Sequence, residues 1–205
     1  MNLINNPARI ERYCGVDLWG RKNSSFNKRP NRPGQHGLRR RRKLSNYALQ
    51  LIAKQKFRFY YGMKEGQFRR FFKIAMNKKG DTGINMIRML ESRLDNVVYR
   101  LKWSATIFGA KQLVSHGHIL VNGSKVDVAS YLVSAGDTVE LKEKAKNMSV
   151  VRQSVDIERD IPSYLKASSD GLSGSLSKLP DAIEEVGYNA PMDMPLVIGM
   201  YSRLM

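Results

Sequence analysis

Residues 91–126 constrain the fold more than any other stretch of the chain. Apolar residues recur there at the spacing of one helical face and predict a short amphipathic helix, formed by Leu94, Val97, Val98 and Leu101. Ser92, followed three residues later by Asp95, is typical of a capping box at the start of that helix. We expect this helix to bury its apolar face and to expose its polar one.

A second short helix and a hairpin are expected to follow in the same stretch. Ser104 or Thr106 is a suitable cap for the helix, Gly117 is placed to end it, and its apolar stripe is Ala110, Leu113 and Val114. Asn122-Gly123 between apolar residues is the strongest short-range signal for a tight hairpin. The stretch therefore predicts a helix, a turn, a second helix and a hairpin.

The polar side of these two predicted helices is basic and rich in amides. No acidic residue lies between Asn96 and Val126, whereas a surface that serves only solubility normally mixes both signs of charge. The pattern favours a surface that binds a polyanion over a merely solvated face. Its candidate residues are Arg93, Asn96, Arg100, Lys111, Gln112, His116 and Lys125.

The charge of the whole chain also indicates a polyanionic partner. Its 205 residues carry a formal net charge of +17, and nucleic acid and anionic membrane are the two candidate partners. No run approaches the roughly 18 consecutive apolar residues of a spanning helix, and the N-terminus lacks the apolar core of a signal peptide. We therefore expect a cytoplasmic protein that binds nucleic acid.

This charge is distributed unevenly along the chain. From Gln153 onward, eight acidic residues outnumber four basic ones, so this tail carries −4 and the first 152 residues carry +21. A phosphate backbone would repel the tail. We predict that the tail faces away from nucleic acid or meets a basic protein.

The first 43 residues have few apolar side chains, no clear period and a basic run at their end, so we expect an arm that is poorly ordered alone. Gly34 and Gly37, in the motif PGQHG, are placed where a backbone could approach a phosphate chain; an ordinary loop is the alternative. The basic run supplies further candidate RNA-binding residues, namely Arg39, Arg40, Arg41, Arg42 and Lys43.

Three helices are predicted after the arm. The first begins after Ser45 and runs to about Tyr61. The second has a broad apolar stripe, interpreted as core, made of Phe68, Phe71, Phe72, Ala75 and Met76, and candidate RNA-binding residues on its other faces, Arg69, Arg70 and Lys73. The third leads from about residue 84 to Ser92.

Beyond the first hairpin the pattern predicts a small antiparallel sheet packed on the two short helices. Its strands are expected at residues 126–128, 130–133 and 137–141, and a second hairpin is expected around residues 168–174. A short helix is predicted over residues 152–159. The character of the last apolar run, residues 196–198, stays open.

No pattern of catalytic or metal-binding residues emerges. Cys14 is the single cysteine, so neither a disulfide framework nor a cysteine-based zinc site can form within the chain. His116 and His118 diverge on a helix and have no carboxylate or cysteine nearby to complete a metal site. We expect no cofactor, no metal site and no enzymatic activity.

Several of these segments resemble the family of small-subunit ribosomal protein four, the S-four family. RLDNVVYRL, AKQLVSHGHILVNG and ASYLVSAGDTVEL are similar to its RNA-binding module, PGQHG to an element of its arm, and LSNYALQLIAKQK, QFRRFFK and KGDTGINMIRMLESRLDN to its helical domain. The resemblance extends to about residue 157. The module alone specifies little, because some RNA-modifying and tRNA-charging enzymes share it.

The resemblance implies an α+β fold in three parts. These are an extended basic N-terminal arm, residues 1–43; a small helical domain, residues 44–91, completed by residues 180–205; and a compact helix-helix-antiparallel-sheet RNA-binding module with added strands, residues 92–179.

The implied function is that of a structural component of the small ribosomal subunit. It would bind a junction in the 5′ domain of small-subunit rRNA, nucleate assembly and affect translational accuracy. The implied partners are this rRNA, ribosomal protein five and other small-subunit proteins and, in some bacteria, the protein's own messenger RNA. An RNA-modifying enzyme such as a pseudouridine synthase is the alternative function.

Overall fold

The computed structural model describes residues 6–20, 24–38, 43–155, 157 and 159–203. Helices and an antiparallel sheet make up the described part, which confirms the predicted α+β class. The chain forms two compact units, residues 1–83 with 188–205 and residues 84–187. The three-part division drawn from the sequence stays a prediction.

The elements follow in chain order. The helices are α1 (Pro7–Cys14), α2 (Ser25–Lys28), α3 (Asn46–Tyr60), α4 (Glu65–Met76), α5 (Thr82–Glu91), α6 (Leu94–Arg100), α7 (Ile107–Ser115), α8 (Glu143–Lys146), α9 (Ser149–Val155) and α10 (Met194–Tyr201). The strands are β1 (Ile119–Val121), β2 (Ser124–Lys125), β3 (Thr138–Leu141), β4 (Leu165–Ala167) and β5 (Ser173–Leu176). A 3₁₀ helix spans Glu184–Val186.

In the first unit, α3, α4 and α10 share an apolar interior. The Phe72 ring stacks on Tyr201 of α10 with ring centroids 4.6 Å apart. The Tyr201 hydroxyl donates to Glu65 at 3.0 Å, and Lys54 of α3 donates to the same carboxylate at 2.7 Å. The final apolar run of the sequence is therefore helical, and its tyrosine ties α10 to the first turn of α4.

The N-terminal segment contributes a small core of its own. The Asn6 side chain caps α1, and Pro7 occupies the first helical position, where its missing N–H costs nothing. Cys14, Leu18 and Ala190 form a buried cluster, and Phe59 packs against it. The expectation that the whole arm is poorly ordered is therefore wrong for residues 6–18, because their scattered apolar side chains find partners from distant parts of the chain.

In the second unit, α6 and α7 pack with a five-stranded antiparallel sheet in the order β2-β1-β3-β5-β4. Thr106 caps α7 by accepting from the Gly109 N–H at 3.1 Å, and both predicted apolar stripes are buried. Asn122 and Gly123 have φ of 50° and 77°, as a tight hairpin of this kind requires. The predicted helix, turn, helix and hairpin are confirmed.

Two of the predicted strands are wrong. Residues 126–128 and 130–133 form no strand, and only an isolated bridge joins Leu132 to Arg93. This segment is held instead by the start of α6, where the Leu94 N–H donates to the Tyr131 carbonyl at 2.8 Å. It satisfies the free N–H groups of a helix terminus rather than pairing with a neighbouring strand.

Other predictions fall close to the observed elements. The helix predicted over residues 152–159 begins earlier, because α9 spans Ser149–Val155. The second hairpin exists as β4 and β5, in which Leu165 pairs with Leu176.

Candidate nucleic-acid interface

The outer face of α4 is a basic surface in the first unit. Phe68, Phe72 and Ala75 point inward and are at most 1% exposed. The three basic residues predicted on the other faces, Arg69, Arg70 and Lys73, are all exposed. Met76 is 45% exposed, so its assignment to the core was wrong because the apolar stripe extends past the packed part of the helix.

The basic run at the end of the arm is described only at its last residue. Arg39, Arg40, Arg41 and Arg42 lie outside the described residues. Lys43 is exposed, two residues before Ser45, which caps α3 by accepting from the Ala48 N–H at 3.3 Å. RNA contact by this run stays a prediction.

The two glycines of PGQHG have different roles. Gly34 has φ of +102°, and a Cβ there would meet no atom within 4 Å, so its backbone is open to an incoming group. A Cβ on Gly37 would lie 1.9 Å from the Arg32 carbonyl oxygen, so this glycine lets the loop close on itself. Arg12 of α1 donates to the Asn31 carbonyl at 2.8 Å and to that of Arg32 at 3.2 Å. The loop is therefore attached to α1.

The predicted polar stripe of α6 is not a surface. Arg93, Asn96 and Arg100 are 2%, 1% and 3% exposed, so their placement on an exposed stripe was wrong. Charged residues are rarely buried unless they are paired. Two networks of polar side chains provide the partners.

The first network is centred on Glu91, the last residue of α5. Arg100 lies against its carboxylate, 3.2 Å from Nη2 to Oε1. The Asn96 side-chain amide donates to the same carboxylate, and so does the Tyr164 hydroxyl, at 2.7 Å. Glu91 is 1% exposed, so the carboxylate exchanges hydration for these donors.

The second network is centred on Asp95, which is fully buried. Arg93 donates to both of its carboxylate oxygens, at 3.1 and 2.6 Å, and Lys111 of α7 lies 3.6 Å away. Burial lowers the pKa of Lys111, and the attraction of Asp95 opposes that shift. Asp95 is thus a buried acceptor, and the capping box predicted from Ser92 and Asp95 is wrong because the Ser92 hydroxyl donates to the Arg88 carbonyl at 2.6 Å instead.

The remaining candidates of the second unit are accessible to different degrees. Gln112, His116 and Lys125 are exposed, and Lys111 keeps 21% of its side chain exposed. The Lys125 side chain lies across Gly117, since a Cβ on that glycine would be 2.2 Å from the lysine Cε. The available basic surface of this unit therefore lies on α7 and the first hairpin rather than on α6.

Sequence reasoning missed Glu91 and Tyr164 as determinants of the module. Tyr164 lies 73 residues from the carboxylate that it binds, a separation that no local pattern spans. The sequence held a weak signal for Glu91, because an acidic residue directly before a helix with basic side chains can neutralise one of those side chains. The alternation of charge at Glu91, Arg93 and Asp95 was a second signal, because opposite charges so close in sequence can pair with one another or with a neighbouring helix.

Two acidic side chains of the predicted free tail are paired within the second unit. Asp181 accepts from Arg88 at 2.5 Å, and Glu185 lies 3.5 Å from Lys178. Glu184 is exposed. These partners leave fewer acidic side chains free for another protein than the net charge suggested.

Among the described residues, no group of three or more histidine, cysteine or acidic side chains is arranged to hold a metal ion. No helix in the described part of the chain has the length and apolarity needed to cross a membrane.

Comparison with protein families identifies the class. Residues 2–91 match the model of the ribosomal protein S4/S9 N-terminal domain, and residues 92–139 match that of the S4 domain. These matches define a ribosomal protein with an S4 RNA-binding domain.

The relatives are consistent over almost the full chain. "Small ribosomal subunit protein uS4" of Rhodospirillum centenum is 49% identical over 197 residues, 95% of this chain and 96% of its own. The proteins of that name from Granulibacter bethesdensis and Gluconacetobacter diazotrophicus are each 47% identical, over 95% and 98% of this chain. The chain belongs to the uS4 family of small ribosomal subunit proteins, which confirms the predicted family.

Proposed function

We propose that this chain is a structural component of the small ribosomal subunit that binds a junction in the 5′ domain of small-subunit rRNA. The observation that carries the proposal is the similarity to uS4 proteins over 95% of the chain. The net charge of +17 supports it, because neutralising phosphates with lysine and arginine releases counterions and drives binding.

Two surfaces are the proposed contacts. In the first unit the outer face of α4 presents three basic side chains on one rigid helix. In the second unit α7 and the first hairpin present Lys111, Gln112, His116 and Lys125. Arg93 and Arg100 hold the module together, so their effect on binding is indirect.

Binding at these surfaces would read the shape of folded RNA rather than its sequence. Side chains cannot read the deep, narrow major groove of A-form RNA, whereas phosphates and 2′-hydroxyls are accessible. The proposed role is therefore structural rather than catalytic. It extends to nucleating assembly, influencing translational accuracy and contacting ribosomal protein five; control of the protein's own messenger RNA belongs to the same proposal.

The test is the affinity for a 5′-domain transcript as a function of salt. Replacing Arg69, Arg70 and Lys73 by alanine should weaken binding and reduce the salt slope by about one for each phosphate that the variant no longer neutralises. Lys166→Ala, an exposed site on β4, is the control for removing a positive charge elsewhere. Unchanged affinity and slope in the triple variant would remove α4 from the interface.

A further inference from the structure

A cleft between α7 and α9 in the second unit is lined by both polar and apolar groups, unlike the basic surfaces proposed to contact phosphates. Polar groups come from α7 and the turn after it, and apolar groups come mainly from the start of α9. The cleft has a volume of about 180 Å³, and its main lining residues are Gln112, Leu113, His116, His118, Met148 and Val150.

The polar groups of the cleft are available to a ligand. Within the described part of the chain, the Gln112 side-chain amide and the imidazoles of His116 and His118 have no hydrogen-bond partner. The two imidazole rings lie 6.1 Å apart and are tilted by 56°. An amide offers both donors and acceptors, and each imidazole adds a flat ring with a polar edge.

The apolar groups lie unusually exposed for their surroundings. Val150 is 60% exposed, in a segment where most neighbours are polar. Met148 is half-buried beside it, and a thioether adapts its shape to a flat partner. A ring that entered the cleft would cover these side chains and leave its edges facing the amide and imidazoles.

The segment that supplies the apolar side of the cleft is basic. Residues 142–152 contain four basic residues and one acid, Glu143, which is neutralised by Lys146 at 2.5 Å. Arg152 lies two residues after Val150 in α9 and donates to the Asn147 side chain at 2.6 Å. A phosphate chain is the complementary partner for such a rim.

The size of the cleft restricts its occupant. Pockets for whole small-molecule ligands measure about 300–1,000 Å³, which is larger than this cleft. A single heterocycle is a better match, provided that the rest of its ligand stays outside on the basic rim. An unstacked RNA base attached to its backbone has this form, and such bases are bound by stacking and by hydrogen bonds to their edges.

We infer that this cleft binds one unpaired base of a single-stranded RNA segment, with the adjoining phosphates on the basic rim. The inference rests on the proposed function and refines it. It adds a subsite that takes a splayed-out base to surfaces that otherwise recognise phosphates and helical shape.

The test uses the full-length protein and a single-stranded uridine dodecamer with one central 4-thiouridine, compared with an RNA duplex of the same length. His116→Ala should weaken binding of the single strand at least about fivefold, the effect of losing a base-stacking partner. Binding of the duplex should weaken less than binding of the single strand, because the duplex loses only a contact of the α7 surface whereas the single strand also loses its stacked base. Gln112→Ala is the second cleft variant, and Gln153→Ala, exposed on α9 outside the lining, is its matched control.

Photo-cross-linking of the wild-type protein locates the base without relying on any variant. A cross-link to residues 112–118 or 148–150 supports the inference. Cross-links elsewhere, or equal losses of affinity for the single strand and the duplex, overturn the inference. A protein segment would then be the alternative occupant of the cleft. Unchanged affinity in both cleft variants overturns the inference as well. Normal binding of the 5′-domain transcript alongside such a result would leave the proposed function intact.

Discussion

Replacing Glu91 by glutamine should destabilise the second unit, because Glu91 is the centre of a buried network. The substitution keeps the size of the side chain but removes its charge, and Arg100 is left as a buried cation 3.2 Å from a neutral amide. Breaking a buried ion pair on one side costs about 3–5 kcal/mol. We expect the free energy of unfolding of this unit to fall by about that amount.

A second variant measures one arm of the same network. Tyr164→Phe removes the hydroxyl that donates to Glu91 at 2.7 Å and leaves the ring in place. A hydrogen bond to a charged group contributes about 1.5–3 kcal/mol, so the loss should lie in that range. Tyr131→Phe is the control, since Tyr131 is 39% exposed and should change stability by at most about 0.5 kcal/mol.

The assay is urea unfolding followed by tryptophan fluorescence. Trp103 is fully buried in the second unit, where its indole N–H donates to the Gly171 carbonyl at 2.7 Å. Trp19 lies in the first unit, so a Trp19→Phe background makes Trp103 the reporter of the second. A loss below about 1 kcal/mol for Glu91→Gln would refute the reasoning, because it would mean that the buried cation had found water or another partner.

Three further predictions concern other sites. Arg93→Ala should lower the free energy of unfolding by about 3–5 kcal/mol in the same assay, because it leaves the buried Asp95 without its arginine. Lys111→Met should leave stability at pH 7 unchanged or raise it, because the lowered pKa of Lys111 means that the folded state disfavours the charged lysine, and this penalty is relieved only as the pH rises toward 10.5. A large loss of stability in Lys111→Met would contradict this. Burial raises the pKa of Cys14 to about 12, so at pH 8 the fraction of reactive thiolate should be about a thousandfold smaller than for a cysteine with the ordinary pKa of 9.0. A thiol reagent should therefore label Cys14 slowly, and rapid labelling of the free protein would show that α1 is not packed. Gly123→Ala should cost about 1 kcal/mol or more, since its φ is +77°, whereas Gly66→Ala, in helix α4 with open space around it, should gain about 0.4–1 kcal/mol; equal effects in thermal unfolding would argue against backbone strain in the hairpin.

Local patterns in the sequence predicted most of the helices and the first hairpin. The stripes of α4 and α6, the Thr106 cap and the Asn122-Gly123 turn each depend on residues within a few positions of one another. Such signals survive folding because tertiary contacts reinforce them.

The errors arose where distant residues decide the outcome. Arg93 and Arg100 look like surface residues on a helical wheel, but in the folded unit both are buried and paired with carboxylates. The alternation in residues 126–133 is typical of strands, yet this segment serves as a cap for α6. The accessible candidates on α4 and α7 were predicted from charge, and RNA contact by them stays a prediction.

The most direct test of the proposed function compares two transcripts from the same small-subunit rRNA, one of the 5′ domain and one of the 3′ domain, matched in length. Binding of the full-length protein would be measured at one physiological salt concentration, since electrostatic affinity alone depends steeply on salt. We expect the 5′ domain to bind about a thousandfold more tightly or better, the difference typical of specific over non-specific nucleic-acid complexes. Equal affinity for the two transcripts would contradict the proposal, because it would mean that the net charge of +17 gives only a general attraction for RNA.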